Sequence, residues 1–183
     1  MIFEEKKVIL KNGVEAILKT PETKDAEMLL NCIKTSCGET PFLMRDAEDK
    51  NDMTVEDEVK WIRNKRESKN ELVIACYIDG VVVGSCDITF FNDGKTRHRA
   101  GIGIAIIKKY WNIGIGSAMF KELIKLSEEH KGTEILELTV VEENERGRAL
   151  YEKFGFETVA KIPDAYKLKN GTYQNRIFMQ KYL

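Results

Sequence analysis

Prolines are scarce here, three in 183 residues, and so are cysteines, four, and histidines, two. Charge of one sign is missing as well: 29 basic against 30 acidic residues leave a net charge of −1. No stretch reaches the roughly eighteen continuous apolar residues that a membrane-crossing helix needs. Each shortage excludes something. Cys32, Cys37, Cys76 and Cys86 form no CxxC pair, and His98 and His130 stand alone. A zinc site needs about four closely placed ligands, so no metal centre is expected. A disulfide-stapled fold is not expected in a chain this long with so few cysteines. The balanced charge leaves no electrostatic footprint for duplex nucleic acid. The first residues, Met1 to Lys7, carry charges where a secretory leader needs an apolar run. The expectation is a cytoplasmic globular domain, with no nucleic acid or membrane as partner.

What is present is ordinary globular composition, 43% hydrophobic and 32% charged. The length suits about one domain, and residues 1–183 are read as a single one. Val8 to Thr20 reads as an extended pair broken at Asn12-Gly13. Thr20-Pro21 reads as the opening of a helix whose Ala26, Leu29, Leu30 and Ile33 share a face. Thr54 followed by Glu56, Asp57 and Glu58 predicts a second capped helix, to about Lys69. Leu72 to Ile78 and Val81 to Phe91 are β-rich runs joined by Asp79-Gly80, a strong hairpin signal. Ala100 to Ile107 is a further strand. Gly114 to His130 is the clearest helix, with Ile115, Ala118, Met119, Leu123 and Leu126 as its apolar stripe. Lys121, Glu122, Lys125, Glu128 and Glu129 read as its solvated face. Ile135 to Val141 is a strand. Asn144 opens a short helix with Ala149, Leu150 and Phe154 on its apolar side, ended by Gly155. Thr158 to Leu168 and Tyr173 to Tyr182 flank a second hairpin signal, Asn170-Gly171. Only the unit from Ala100 to Val141 looks like a parallel crossover. The order predicts an α+β (mixed α/β) fold.

The chemistry lies between Ile104 and Ser117. A buried strand runs into a turn, then Gly114 and Gly116, then a long amphipathic helix. The amides of a helix's first turn have no acceptor within the helix and carry partial positive charge. Glycines there let a phosphate approach the backbone. The plainer reading is a tight turn, and the pattern alone leaves both open. A P-loop would need a lysine before Ser117, and a dinucleotide fingerprint would need glycine or alanine where Met119 stands.

These residues resemble the GNAT superfamily of N-acetyltransferases, whose signature is [RQ]xxGx[GA] where a helix follows an apolar strand. Trp111-Asn112-Ile113-Gly114-Ile115-Gly116 fits, with Trp111 in place of the arginine or glutamine. The resemblance continues through the strand Leu136 to Val141, then Asn144, Tyr151 and Phe154-Gly155-Phe156, to a closing hairpin with Met179. It implies a mostly antiparallel central sheet, flanked by helices and splayed beyond Ile106 at the acetyl-CoA-binding strand. It implies acetyl-CoA as acyl donor. The pyrophosphate would sit on Asn112, Ile113, Gly114, Ile115, Gly116 and Ser117. The pantetheine arm would pair with backbone at Ile104, Ala105, Ile106 and Ile107. An amide near Ile104 or Ile106 would polarise the thioester carbonyl. Tyr151 would protonate the departing thiolate, the alternative being packing with Leu150 and Phe154. Asn144 would contact the cofactor or simply cap its helix.

The general base is less clear. The family's strand glutamate matches Ala100, so Glu137 is the candidate, with Asp87, His98 and Glu39 behind it. The acceptor would be a primary amine of a small molecule or a protein N-terminus, attacking directly with no acyl-enzyme. Glu39, Arg45, Asp46, Glu48 and Asp49 form an acidic stretch that suits a cationic amine or is merely a solvated loop. A non-catalytic acyl-CoA-sensing module is the competing reading. The oligomeric state stays open, a homodimer included.

Overall fold

The computed structural model describes residues 1–44 and 52–183. Arg45, Asp46, Glu48 and Asp49 of the acidic stretch lie outside the described residues. The fold is α+β. In chain order it comprises β1 (Lys6–Ile9), β2 (Glu15–Lys19), α1 (Ala26–Gly38), α2 (Val55–Glu67), β3 (Glu71–Ile78) and β4 (Val81–Phe90). Then come β5 (Arg99–Ile106), α3 (Ile115–Glu129), β6 (Ile135–Val141), α4 (Glu145–Lys153), β7 (Glu157–Lys167) and β8 (Tyr173–Tyr182). The strands follow the order β1-β2-β3-β4-β5-β6-β8-β7. β5 and β6 pair in parallel, joined through α3 as expected, and the neighbours on either side run antiparallel.

The chain forms two compact units. The first holds 1–89 and 103–123. On one face of its sheet, Ala75, Tyr77 and Val82 pack with Ala26, Leu29 and Cys32 of α1 and Ile62 of α2. The alternating residues Leu18, Ile74 and Cys76 are just as buried, so the opposite face is covered too. Ile115, Met119, Phe120 and Leu123 of α3 are buried in the same unit. The periodicity placed Glu122 on the solvated face of α3, yet it is only 5% exposed. Lys6 of β1 reaches it at 2.7 Å, and a buried carboxylate needs such a partner. The sequence reading also misplaced the start of α1. Thr20 does not cap it: its hydroxyl accepts from Phe3 N at 2.8 Å and donates to Val73 O at 3.0 Å. The chain instead enters through a 3-10 turn over Thr23–Asp25 with a Glu22/Asp25 capping box. α2 begins as predicted, with Thr54 accepting from Asp57 N.

The second unit holds 90–102 and 124–183. Leu136, Leu138 and Val140 of β6 and Ile177 and Met179 of β8 are buried. Phe90 stacks on His130 at 3.8 Å between ring centroids. Ala149 is exposed rather than on the inner side of α4, where Tyr151 is buried instead. The parallel pairing of β5 with β6 runs only from Arg99↔Ile135 to Gly101↔Glu137. It stops well short of Ile106, where the sequence reading had the strands part.

Candidate active site

The junction of β5 and α3 lies wholly in the first unit. Beyond Ile106 the chain makes a 3-10 turn over Lys108–Tyr110, then a loop, then the first turn of α3. Asn112 (φ 65°) and Gly114 (φ 104°) both have left-handed backbones. Asparagine tolerates this, and at Gly114 a side chain would be strained. Gly114 O accepts from Ala118 N at 3.0 Å, opening the helix. A glycine at that position has no side chain with which to cap the helix.

Three contacts from outside the motif hold this loop. Lys11, in the β1–β2 turn, donates its backbone N–H to Ile113 O at 2.9 Å. A Cβ on Gly114 would lie 3.3 Å from the Lys11 side chain, so glycine also permits this close approach. Glu39, at the end of α1, accepts from Lys108 N at 2.6 Å. Trp111 donates its indole Nε1–H to Ile106 O at 2.7 Å. Sequence reasoning missed Lys11 altogether. It weighed Glu39 as a base or as part of the acidic stretch, and Trp111 as a lost side-chain contact. Tryptophan here is a strut joining the loop to the end of β5.

These contacts sort the backbone of β5. Ile107 N donates to Val83 O at 3.1 Å, and Phe91 N to Arg99 O at 3.0 Å, so β4 and β5 run antiparallel. In such a pair alternate residues turn their polar groups to the partner. Gly103, Ala105 and Ile107 therefore face β4, while Ile104 and Ile106 turn theirs away from it. Of the latter groups the Ile106 carbonyl is taken by Trp111. The N–H groups of Ile104 and Ile106 remain directed away from β4, where an extended ligand would meet them.

Asn144 and Tyr151 belong to the second unit. Asn144 is the N-cap of α4: its side-chain oxygen accepts from Gly147 N at 3.0 Å. The buried Tyr151 ring meets Phe156 edge-on at 6.4 Å between centroids. Burial pushes its phenol up to about 12, partly offset by Arg146. It therefore keeps its proton throughout the neutral range, as an acid must.

Glu137 and Thr139 alternate with the buried Leu136, Leu138 and Val140, as expected. Arg99 holds Glu137 Oε2 through both Nε and Nη2. Both contacts fall on one oxygen of the carboxylate, for which a substrate would compete with Arg99. His98 uses its backbone carbonyl to accept from Glu134 and Ile135. All four cysteines are buried thiols. Burial pushes Cys32 and Cys76 up to about 12 and raises Cys86 as well, which makes them weak nucleophiles. No helix among the described residues is long and apolar enough to cross a membrane.

The model of the acetyltransferase (GNAT) family matches residues 40–156. The chain belongs to that family. It is 32% identical to the L-amino acid N-acetyltransferase AaaT of Escherichia coli K12 over 109 residues, covering 60% of this chain. That match covers 66% of the relative, so the chain spans just under two thirds of its length. Among solved structures, an acetyltransferase of the GNAT family from Streptococcus pneumoniae superposes with a TM-score of 0.85 at 26% identity. That alignment covers 92% of this chain and 99% of the other. The yncA structure from Salmonella typhimurium, solved with its cofactor acetyl-CoA, shares the fold with a TM-score of 0.78 at 16% identity. It covers 92% of this chain and 94% of that one.

Proposed function

We propose that residues 1–183 form one N-acetyltransferase domain that transfers acetyl from acetyl-CoA to a primary amine. The observation that carries this reading is the β5–α3 junction, where Gly114 turns the chain at φ 104° into the first turn of α3. The amides of that turn suit a pyrophosphate. Asn112, Ile113, Gly114, Ile115, Gly116 and Ser117 would hold it. The Ile104 and Ile106 amides suit a pantetheine arm laid along β5 as an added strand. Bound acetyl-CoA would supply an activated thioester. Polarised by one of those amides, its carbonyl becomes open to direct attack by an amine. Tyr151 would give its proton to the thiolate. Asn144 would serve its helix first.

An α-amine is the favoured acceptor. Deprotonating an amine of pKa ~8 at neutral pH costs about 1 kcal/mol, against about 4 kcal/mol for a lysine-like amine. The relative named as an L-amino acid N-acetyltransferase points the same way. The test is thiol release with the twenty L-amino acids, with products read by mass spectrometry beside calorimetric binding of acetyl-CoA. Acetylated amino acid is the expected product. Saturable acetyl-CoA binding without transfer to any amine would instead support a sensing module.

A further inference from the structure

Asp87 lies in β4 opposite Val73 of β3, two residues along from the Ser85–Ala75 pair. Directly opposed residues share a sheet face, so Asp87 is on the Ala75 side, which α1 and α2 cover. Its Oδ1 stands over Gly103 of β5, 2.9 Å from where a Cβ would be. Only a residue without a side chain leaves the carboxylate that place. By strand alternation Gly101 and Ala105 flank Gly103 on the same face, and the Phe91 ring lies over Gly101, 3.3 Å from where a Cβ would be. Among the described residues Asp87 makes no side-chain hydrogen bond or ion pair, although the other half-buried acid of this face, Glu71, is bridged to Lys65. A half-buried carboxylate with no protein partner leaves its oxygens open to water or to a ligand.

We propose that Asp87 receives the acceptor amine as its ammonium ion above Gly103 and takes its proton. This rests on the transferase reading above and gives it a base other than Glu137, which Arg99 engages. The position next in sequence to Gly103 is Ile104, whose amide would hold the thioester carbonyl, so amine and carbonyl would meet at neighbouring residues of one strand. One ammonium proton passes to the Asp87 carboxylate and on to water. The nitrogen lone pair then forms the C–N bond at the carbonyl carbon, the C–S bond breaks, the nitrogen loses its second proton, and the thiolate leaves as thiol after taking a proton. One proton is released per amide formed. Burial raises the carboxyl above the usual range, which improves it as a base. Lys65 of α2 acts in the opposite direction, and Glu71 of β3 reinforces the rise. Cys86, adjoining in β4, is the other titratable neighbour.

The test compares wild type, Asp87→Asn and Gly103→Ala. Transfer to L-amino acids is followed by thiol release between about pH 6 and 9, and acetyl-CoA binding by calorimetry. Asp87→Asn is expected to lower kcat/KM for the amine by ~10²-fold or more, within the range of general base catalysis. Acetyl-CoA affinity should stay within about twofold, and the residual rate should climb with pH as the free amine becomes available unaided. Gly103→Ala, which displaces the carboxylate but keeps its charge, should lower kcat/KM less, with the wild-type pH profile. An Asp87→Asn enzyme with near-wild-type kcat/KM, or one whose loss is the same at every pH, overturns the proposal. If wild type binds acetyl-CoA yet acetylates nothing, the transferase reading fails separately. The carboxylate is then judged by its ¹³Cγ resonance in acetyl-CoA-loaded protein, which must shift on adding the L-amino acid mixture; no shift overturns it.

Discussion

Two strand-to-helix junctions in this molecule solve the same problem in opposite ways. After β6, α4 begins with Asn144, whose own oxygen satisfies Gly147 N. That helix start is closed upon itself. After β5, α3 begins at Ile115 behind Gly114, which has no side chain to offer as a cap. There the chain spends its contacts on holding the loop from behind, through Lys11, Glu39 and Trp111. A capped helix start serves stability. A helix start that is uncapped by its own N-cap residue yet firmly tethered is suited to an anionic ligand. The contrast supports the proposed placement of acetyl-CoA at the β5–α3 junction and leaves Asn144 the cap of its helix.

The largest expected effect comes from the helix that the capped junction starts. Tyr151→Phe should lower kcat by ~10²-fold with little change in KM for acetyl-CoA, as for loss of a general acid. With the phenol raised to about 12, wild type should show no activity limb from Tyr151 below about pH 10. The same shift has a stability consequence. The folded state holds this proton more tightly than the unfolded chain, so the contribution is intact below about pH 10 and is lost as pH rises towards 12. Alkaline unfolding followed by circular dichroism should show it, and Tyr151→Phe should flatten that fall.

Gly114→Ala comes next. Its φ of 104° penalises any side chain, so the variant should lose about 1–3 kcal/mol of stability and bind acetyl-CoA at least ~10-fold more weakly. Denaturant melts and calorimetry separate the two losses. Trp111→Phe keeps the ring but removes the indole donor to Ile106. A several-fold rise in KM for acetyl-CoA with kcat unchanged would match the loss of about 1 kcal/mol for one hydrogen bond. An unchanged KM would mean that the strut does not matter to the ligand. The smallest effect belongs to Asn144→Ala, which should cost about 1 kcal/mol of stability with kcat/KM nearly intact. A large loss of activity there would blur the distinction between the junctions.

Much of this was legible in the residues because it is local. Asp79-Gly80 and Asn170-Gly171 mark real hairpins, Thr54 and Asn144 cap the helices they precede, and Gly114 marks the turn into α3. What escaped was long-range. Glu122 looked solvated because helical periodicity cannot see Lys6, 116 residues away. Thr20 looked like a cap because its real partners are Phe3 and Val73. Glu137 looked like a free base because Arg99 lies 38 residues earlier on the adjoining strand. Trp111 looked like a departure from the family pattern, and only the fold shows what its indole holds. Asp87 was visible as an acid on a strand, but nothing local revealed that Gly103 would lie beneath it.

The most direct test of the central claim is a backbone-amide NMR titration of ¹⁵N-labelled protein with acetyl-CoA. The largest saturable shifts are expected on residues 112–117, with Ile104 and Ile106 moving alongside them and Gly147 nearly still. Shifts centred on the start of α4, or absent from the β5–α3 junction at saturation, would contradict it.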